Sequence, residues 1–334
     1  MEKNVSDNGF STMKEMTKDC LNEILTNAAK LTGSGISTGF SRVDDLTGGL
    51  ENGRLYVIGG RPSMGKEEFM LSMIRTITLE SELPVLLFVT NHRKEDYAAR
   101  LVSLHCNVSS LYMKKGELCA LEWDRLDGRI GTLVDAPLSI YESLDLKLDD
   151  LLEKARYGVR EKGIRVIFVE CLQMVDFACE DASRSERIAR VMFALKEFAR
   201  QENLPVVVGA MLGRPSEDRE GIEGLLPRLS DLALSSSIEE LADVVMLVHR
   251  PEYYCIYEDY HGRDLHGLMQ ILVRKNALKP CGEVYVRYQQ ETGTISPMER
   301  AEYSDAWDLD DLKANNKAID LLVDALHLED IAPF

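Results

Sequence analysis

The residues with the clearest chemical potential stand together in one glycine-rich segment. The segment reads Gly60, Arg61, Pro62, Ser63, Met64, Gly65, Lys66 and Glu67. Glycines let a backbone curl so that its N–H groups face an anion, and a lysine at the start of the following helix reaches terminal phosphates. The segment therefore predicts a phosphate-binding loop, with ATP and Mg²⁺ as the expected ligands.

The last position of this loop departs from the usual pattern. A Ser or Thr hydroxyl normally follows the lysine and ligates Mg²⁺, whereas this chain has Glu67 followed by Glu68. Carboxylates in the first turn of a helix are themselves stabilised by the helix dipole. Two interpretations stay open. Either the carboxylates neutralise the anion site, so that binding of ATP and Mg²⁺ is weak or absent, or Glu67 ligates the metal directly. We favour the first.

Short apolar runs alternate with helical stretches, and these elements must hold the loop in place. The apolar runs have the length of strands buried on both faces of a parallel sheet, and they cover residues 55–60, 84–89, 165–169, 205–208 and 242–248. Helical periodicity covers residues 67–80, 94–107, 148–162 and 184–203. The alternation predicts an α/β fold with a mostly parallel central sheet flanked by helices, followed by a terminal hairpin at residues 267–273 and 283–288.

Two further segments flank this α/β domain. Residues 1–32 combine a polar lead with a helical apolar stripe over 12–31, which packs either on its own domain or on a neighbouring subunit. Residues 299–334 are acidic and show helical spacing from Asp308 to about His327. We therefore expect three parts: a lead with a linker-type helix at 1–32, the α/β domain at 33–298, and an acidic helical tail at 299–334.

The charge and the cysteines exclude several classes of protein. The 334 residues carry a net charge of −17, which argues against electrostatic binding of nucleic acid or of an anionic membrane over a large surface. The seven cysteines include no C-x-x-C pair, and the six histidines show no zinc-ligand spacing. No apolar run is long enough to span a membrane. We expect reduced thiols and a cytoplasmic location.

Three motifs, in this order, resemble the RecA-like motor domain of DnaB-type replicative helicases. Residues 37–46 match the family's opening G-x-N/S-T-G-x-x-x-L-D, and residues 60–66 match its phosphate loop A/G-R-P-S-M-G-K. Residues 230–243 follow its stretch S-D-L-R-E-S-G-S-I-E-Q-D-A-D. The resemblance covers residues 36–298 and implies a P-loop NTPase fold in a ring-forming ATP-dependent helicase. It also implies that the helix at 12–31 docks on the next subunit.

The resemblance, carried over position by position, implies that none of the family's catalytic residues is intact. The substituted positions are Asn91 for the glutamate that activates water, Glu170 for the Walker B aspartate, Met211 for the glutamine that senses the γ-phosphate, and Ala277 for the arginine finger; Lys275 is retained beside it. An amide cannot accept the proton of water as a carboxylate does. An arginine finger contributes about 10³–10⁵ in rate, so its loss alone would be severe.

The metal and DNA contacts implied by the resemblance are altered as well. Glu67 and Glu170 are the candidate metal ligands. The family loop that helps to hold single-stranded DNA is substituted here at Ala233, Leu234 and Ser236. Its lost arginine and the chain's acidic charge together predict weak or no binding of nucleic acid.

Three functions fit these observations. The first is a DnaB-like homologue with degenerate catalysis, which acts in DNA replication or repair by binding a helicase-like partner or ring subunits through residues 12–31. The second is an active ATP-dependent helicase that translocates 5'-3' on single-stranded DNA with displaced catalytic residues. The third is an ATP-binding sensor without turnover. We favour the first, because the substituted positions are those that hydrolysis and translocation need.

The C-terminal residues offer a second contact for a protein partner. The run Leu328-Glu329-Asp330-Ile331-Ala332-Pro333-Phe334 resembles the acidic tip of bacterial single-stranded-DNA-binding proteins. A terminal Phe can fill an apolar pocket while its free carboxylate meets an Arg or Lys of the partner. The alternative, which we favour because Ala332 interrupts the match, is a frayed helix end with one stray aromatic.

Deleting residues 1–32 should lower the oligomeric state of the chain, because the apolar stripe at 12–31 would lose its place on a neighbouring subunit. ATP should strengthen that contact little, since the finger position is Ala277. Light scattering of the full and shortened chains measures the change. An unchanged mass, or a full chain that is already monomeric, would contradict the docking hypothesis.

Overall fold

A computed structural model describes residues 35–177, 182–213, 219, 222–232, 236–259, 262–277 and 279–298, together with Met13, Met16 and Thr17. These last three residues are helical and exposed. The rest of the helix predicted at 12–31 and the tail predicted at 299–334 lie outside the described residues. Within the described part of the chain, no helix combines the length and apolar character needed to cross a bilayer.

The described part of the chain alternates strands and helices as follows. The strands are β1 (Leu55–Gly60), β2 (Val85–Val89), β3 (Leu138–Glu142), β4 (Leu146–Lys147), β5 (Val166–Val169), β6 (Val175–Asp176), β7 (Val206–Met211), β8 (Val244–His249), β9 (Leu268–Asn276), β10 (Gly282–Gln289) and β11 (Thr294–Pro297). The helices are α1 (Ser41–Thr47), α2 (Lys66–Leu79), α3 (Lys94–Cys106), α4 (Ser110–Lys115), α5 (Ala120–Val134), α6 (Leu148–Lys162), α7 (Arg184–Glu202), α8 (Ile222–Leu225) and α9 (Ser236–Leu241). Short 3₁₀ turns occupy Leu172–Met174, Leu229–Asp231 and Pro251–Tyr254.

The larger sheet has the strand order β11-β10-β9-β8-β1-β7-β5-β2-β3, and β4 pairs with β6 in a small second sheet. At its centre β1 pairs in parallel with β7 and β8, so that Ile58 lies between Gly209 and Met246. The strands β7, β5, β2 and β3 continue the parallel arrangement, whereas β9 is antiparallel to β8 and β10 is antiparallel to β9. The parallel strands therefore share one carboxyl edge.

Both faces of the central strands are buried. In β1, Tyr56 and Ile58 join the apolar cluster that includes α2 and α3, while Leu55 and Val57 join the cluster that includes α6 and α7. Burying one large aliphatic side chain stabilises a fold by about 1.5–3 kcal/mol. This two-sided burial explains why the strands are continuous apolar runs, and it anchors the strand that leads into the phosphate loop.

The predicted fold class is confirmed, and the central strands lie close to the predicted runs. The main differences are that β7 continues past Val208 to Met211 and that the predicted terminal hairpin is longer, as β9 and β10. The sequence did not indicate β3, α4 and α5. No residue of α4 or α5 is buried, and every residue of β3 is half-buried, so these elements lie at the surface of the domain.

Gly209 marks a close approach between β7 and the end of β5. A Cβ atom at this position would lie 2.1 Å from the carbonyl oxygen of Glu170, which is far inside van der Waals contact. Since the obstructing atom belongs to the backbone of a buried residue, it cannot move aside as the tip of a flexible side chain can. A glycine here therefore sets the position of Glu170 relative to the central strands.

Replacing Gly209 with alanine should destabilise the domain by about 3 kcal/mol, because the added methyl group forces the ends of β5 and β7 apart. The matched control is Gly128→Ala in α5, where a Cβ atom meets nothing within 4 Å. That change should stabilise the chain by up to about 1 kcal/mol through helix propensity. Urea unfolding of the two variants measures both effects, and equal midpoints would contradict the close approach.

Candidate functional site

A cleft of about 410 Å³ opens at the carboxyl edge of the parallel strands. The segment Gly60–Glu67 forms one wall of it, and Asn91, His92 and Met211 also line it. Parallel strands present their carboxyl ends at the same edge, which is where open α/β sheets bind ligands. The structure thus brings together the predicted phosphate loop and two of the predicted catalytic positions, Asn91 and Met211.

The phosphate loop has the curled backbone that its glycines predict. Ser63 and Gly65 both adopt left-handed conformations, with φ of 64° and 87°, and α2 begins at Lys66. Gly65 also lies against β9, because a Cβ atom there would come 2.3 Å from Cε of Met269. Only glycine meets both requirements at this position without strain.

The ammonium group of Lys66 is already paired within the loop. Its Nζ lies 3.2 Å from Oε1 of Glu67, and the Lys66 side chain is only 5% exposed. A buried ammonium is costly unless it is paired. Glu67 satisfies that need, so a phosphate group entering the cleft would have to compete with a carboxylate of the same chain.

A second carboxylate, that of Glu68, lines the same cleft. Burial raises the pKa of the Glu68 carboxyl, its own backbone N–H acts in the opposite direction, and the neighbouring charge of Glu67 raises the pKa further. Arg100 and Arg250 lie close enough to offset part of this effect. The loop is therefore flanked by acids as well as by bases.

Glu170 lies beneath the cleft, directly after β5, and is 1% exposed. Its Oε2 accepts hydrogen bonds from the backbone N–H groups of Thr90 at 2.6 Å and Asn91 at 2.9 Å, and its Oε1 contacts Nδ1 of His92. Burial acts to raise the pKa of Glu170, but the hydrogen bonds from His92, Asn91 and Thr90 outweigh it and lower the pKa below its ordinary value.

His92 was not among the predicted site residues. This residue stands next to Asn91, lines the cleft and packs edge-on against the ring of Tyr97, with ring centroids 5.8 Å apart. Its bond to Glu170 joins residues that are 78 positions apart in the chain. A single histidine without ligand spacing carries no sequence signal for such a pair, whereas the pairing of β2 with β5 places the two strand ends side by side.

Both predicted Mg²⁺ ligands have partners within the chain. Oxygens of Glu170 already bond to two backbone N–H groups and to His92, and Glu67 is paired with Lys66. Magnesium demands near-octahedral oxygen ligands. Among the described residues, no group of three or more His, Cys, Asp or Glu side chains has a metal-binding arrangement.

Arg250 braces the phosphate loop from the end of β8. Its guanidinium donates to the carbonyl oxygen of Ser63 at 3.0 Å and to Oε1 of Gln290 at 2.9 Å, and it lies 4.4 Å from the ring centroid of Tyr288. Arg61 donates to the hydroxyl of Tyr254 at 3.0 Å. The loop is thus held by two arginine contacts that need no bound ligand.

Met211 is fixed by a reciprocal pair of hydrogen bonds. Its N–H donates to Oε1 of Gln173 at 3.0 Å, and Nε2 of Gln173 donates to its carbonyl oxygen at 3.2 Å. A thioether is a weak acceptor and has no N–H or O–H to donate. The side chain that lines the cleft here therefore cannot donate a hydrogen bond to a phosphate oxygen.

The predicted finger segment does not line the cleft of its own chain. Lys275 donates to the carbonyl oxygens of Glu239 and Glu240, the latter at 3.0 Å, and so caps the end of α9. Ala277 is exposed, and its N–H donates to the carbonyl oxygen of Asp243 at 3.0 Å. Roles of this segment toward a neighbouring subunit stay predictions. Ala233 and Leu234 lie outside the described residues.

The parallel sheet, the phosphate loop between β1 and α2 and the buried acid after β5 define a P-loop NTPase domain of RecA type. The sequence model of the family described as "DnaB-like helicase C terminal domain" matches residues 35–296. This chain belongs to that family, as the motifs predicted.

Curated relatives agree with this assignment. The chain is 35% identical over 244 residues to "Replicative DNA helicase DnaB" of Treponema pallidum, a match that covers 72% of this chain and 54% of the relative. It is 31% identical over 256 residues to the protein of the same name from Leifsonia xyli subsp. xyli, covering 77% of this chain and 54% of that relative. The chain thus spans about half the length of these curated relatives.

Solved structures agree on the fold. A solved ATPase domain superposes with a TM-score of 0.79 at 24% identity, covering 88% of this chain and 100% of that one. A second structure, "The Structure Of A DnaB-Like Replicative Helicase And Its Interactions With Primase", gives a TM-score of 0.78 at 24% identity and covers 86% of this chain and 69% of that one. At this level of identity the likeness concerns the fold alone.

His249, at the end of β8, should make the domain less stable in weak acid. It stacks on Tyr254, which accepts from Arg61 of the loop, and burial lowers the pKa of His249 to about 4. As the pH falls, His249 therefore binds a proton at a higher pH in the unfolded chain than in the folded chain. The contribution of neutral His249 to the free energy of unfolding is complete above about pH 6.5 and is lost as the pH falls toward 4, a change of about 3 kcal/mol.

The variant His249→Phe keeps an aromatic ring against Tyr254 but cannot titrate. Its free energy of unfolding in urea should therefore fall less between neutral pH and about pH 5 than that of the unmodified chain. Other titrating groups are common to both proteins and cancel in the comparison. Parallel pH profiles would show that His249 is not buried in the neutral form.

Proposed function

We propose that this DnaB-type motor-domain homologue acts in DNA replication or repair by binding a helicase-like partner or ring subunits, and that its own ATP chemistry is degenerate. The observation that carries the proposal is the ion pair between Lys66 and Glu67 at 3.2 Å inside the phosphate loop. It engages the one side chain of the loop that should reach the terminal phosphates, and it does so with the residue that replaces the metal-ligating hydroxyl.

The other substituted positions support the same proposal. Asn91 lines the cleft where a proton acceptor is needed, and its amide cannot act as a base. Met211 lines the cleft with a side chain that has no polar hydrogen. The position proposed for the finger holds Ala277. Each change removes a residue type that phosphoryl transfer uses, and the loss of a finger alone lowers the rate by about 10³–10⁵.

Weak binding of nucleic acid is part of this proposal. The net charge of −17 opposes non-specific contact with a phosphate backbone. Arg219, beside the segment proposed to contact DNA, forms an ion pair with the buried Asp231 at 2.5 Å. Its guanidinium is therefore engaged within the chain. A protein partner, bound through residues 12–31, remains the proposed route of action.

An active ATP-dependent helicase with displaced catalytic residues is the second candidate, and the comparisons give it more support than they give the degenerate form. Both curated relatives described above are named replicative DNA helicases. The cleft also keeps Lys66 and is lined by Arg61, Arg100 and Arg250. An arginine supplied by the same chain can replace a finger from a neighbour. An ATP-binding sensor without turnover is an intermediate case.

Steady-state ATP hydrolysis by the purified chain should stay at background, with and without single-stranded DNA, because the water-activating and finger positions hold Asn91 and Ala277. Lys66→Ala, which removes the lysine that any P-loop enzyme needs, is the matched control. Turnover of about one per second that disappears in this variant would overturn the proposal and establish the second candidate. Stabilisation by nucleotide without turnover would indicate the sensor.

A further inference from the structure

We propose that the cleft contains an internal substitute for a magnesium nucleotide. The Glu67 carboxylate takes the place of a phosphate at Lys66, and the His92 ring N–H takes the place of a cation at Glu170. This inference rests on the proposed function and deepens it. The charges of the cleft are then compensated by the chain's own groups, so that assembly with a partner requires no nucleotide.

The anionic half of the substitute is Glu67. The Lys66 side chain is 5% exposed, and a buried ammonium without a partner costs several kcal/mol after relaxation. In a P-loop protein the nucleotide's phosphates supply the opposite charge when they bind. Here a carboxylate one residue along the chain supplies it permanently, and its own side chain is 22% exposed at the cleft.

The cationic half is the contact between His92 and Glu170. Three donors from the end of β2 converge on this carboxylate: the backbone N–H groups of Thr90 and Asn91 and the ring of His92. A neutral imidazole with its hydrogen on Nδ1 also donates to a carboxylate, though more weakly than an imidazolium does, so the contact does not require a charged ring. The ends of β2 and β5 are thereby joined without a metal ion.

The two contacts together change what the binding of a nucleotide requires. Its phosphates would have to separate Lys66 from Glu67 and then lie beside the freed carboxylate and the neighbouring Glu68. The contact of Arg250 with the Ser63 carbonyl already holds the loop in its curled form. A ligand would therefore gain little from ordering the loop, and its phosphates would meet the carboxylates of Glu67 and Glu68 as well as the arginines that line the cleft.

The test replaces Glu67 with the residue type that ordinary phosphate loops carry. Mg²⁺ with the β,γ-imido analogue of ATP is the probe, which separates binding from hydrolysis. Glu67→Thr should bind the probe at least about tenfold more tightly than the unmodified chain, and its melting temperature should rise with probe concentration. The control Glu80→Thr makes the same charge change at the far end of α2, where Glu80 pairs with Arg75 on the surface, and should behave like the unmodified chain.

An anion-rescue experiment tests the anionic half separately. Glu67→Ala leaves Lys66 without its partner, so its melting temperature without ligand should fall, and inorganic triphosphate should restore it. The same salt should leave the unmodified chain unchanged. Glu67→Gln provides a variant of equal size if the alanine chain does not fold, and the same rescue is expected of it.

Two outcomes would overturn the inference. One is an unmodified chain that binds the magnesium probe as tightly as Glu67→Thr does. The other is a pair of variants, Glu67→Ala and Glu67→Gln, whose melting temperatures do not respond to triphosphate. Neither outcome involves turnover, so failure of this inference is distinguishable from failure of the proposed function, which is decided by the hydrolysis of ATP.

Discussion

Two charges are buried at the carboxyl edge of the sheet, and each must be compensated. The Lys66 ammonium and the Glu170 carboxylate are almost fully shielded from water. An uncompensated charge in such a place costs several kcal/mol, a large part of the stability of a domain. The chain compensates both with its own groups, Glu67 for the lysine and the segment from Thr90 to His92 for the glutamate. The arrangement of the cleft follows from this requirement.

The architecture was predictable because its signals are local and repeated. Continuous apolar runs indicate strands buried on both faces, and the glycines around Lys66 indicate the loop that follows the first of them. Elements on the surface of the domain were not predicted. The helix α5 has apolar residues at helical spacing, Leu126, Ile130 and Leu133, but it buries no residue fully and exposes Leu121 and Trp123.

The candidate site was predictable in part. The loop, Asn91 and Met211 meet in one cleft because each lies at or just after the end of a parallel strand, and the motifs that contain them are recognisable in the sequence. The pairing of His92 with Glu170 could not be predicted, since it depends on the lateral order of β2 and β5, which the alternation of strands and helices does not specify. The sequence indicated Glu67 as a source of negative charge or as a metal ligand, and it did not indicate the ion pair with Lys66.

The guanidinium of Arg250 has a mechanical consequence. It joins the carbonyl of Ser63 in the phosphate loop to Tyr288 and Gln290 at the end of β10. The strand β10 lies on the antiparallel side of the sheet, several strands away from β1. Tyr288 and Gln290 also line the cleft, so a displacement of the end of β10 would change the wall of the cleft and, through Arg250, the backbone of the loop at the same time.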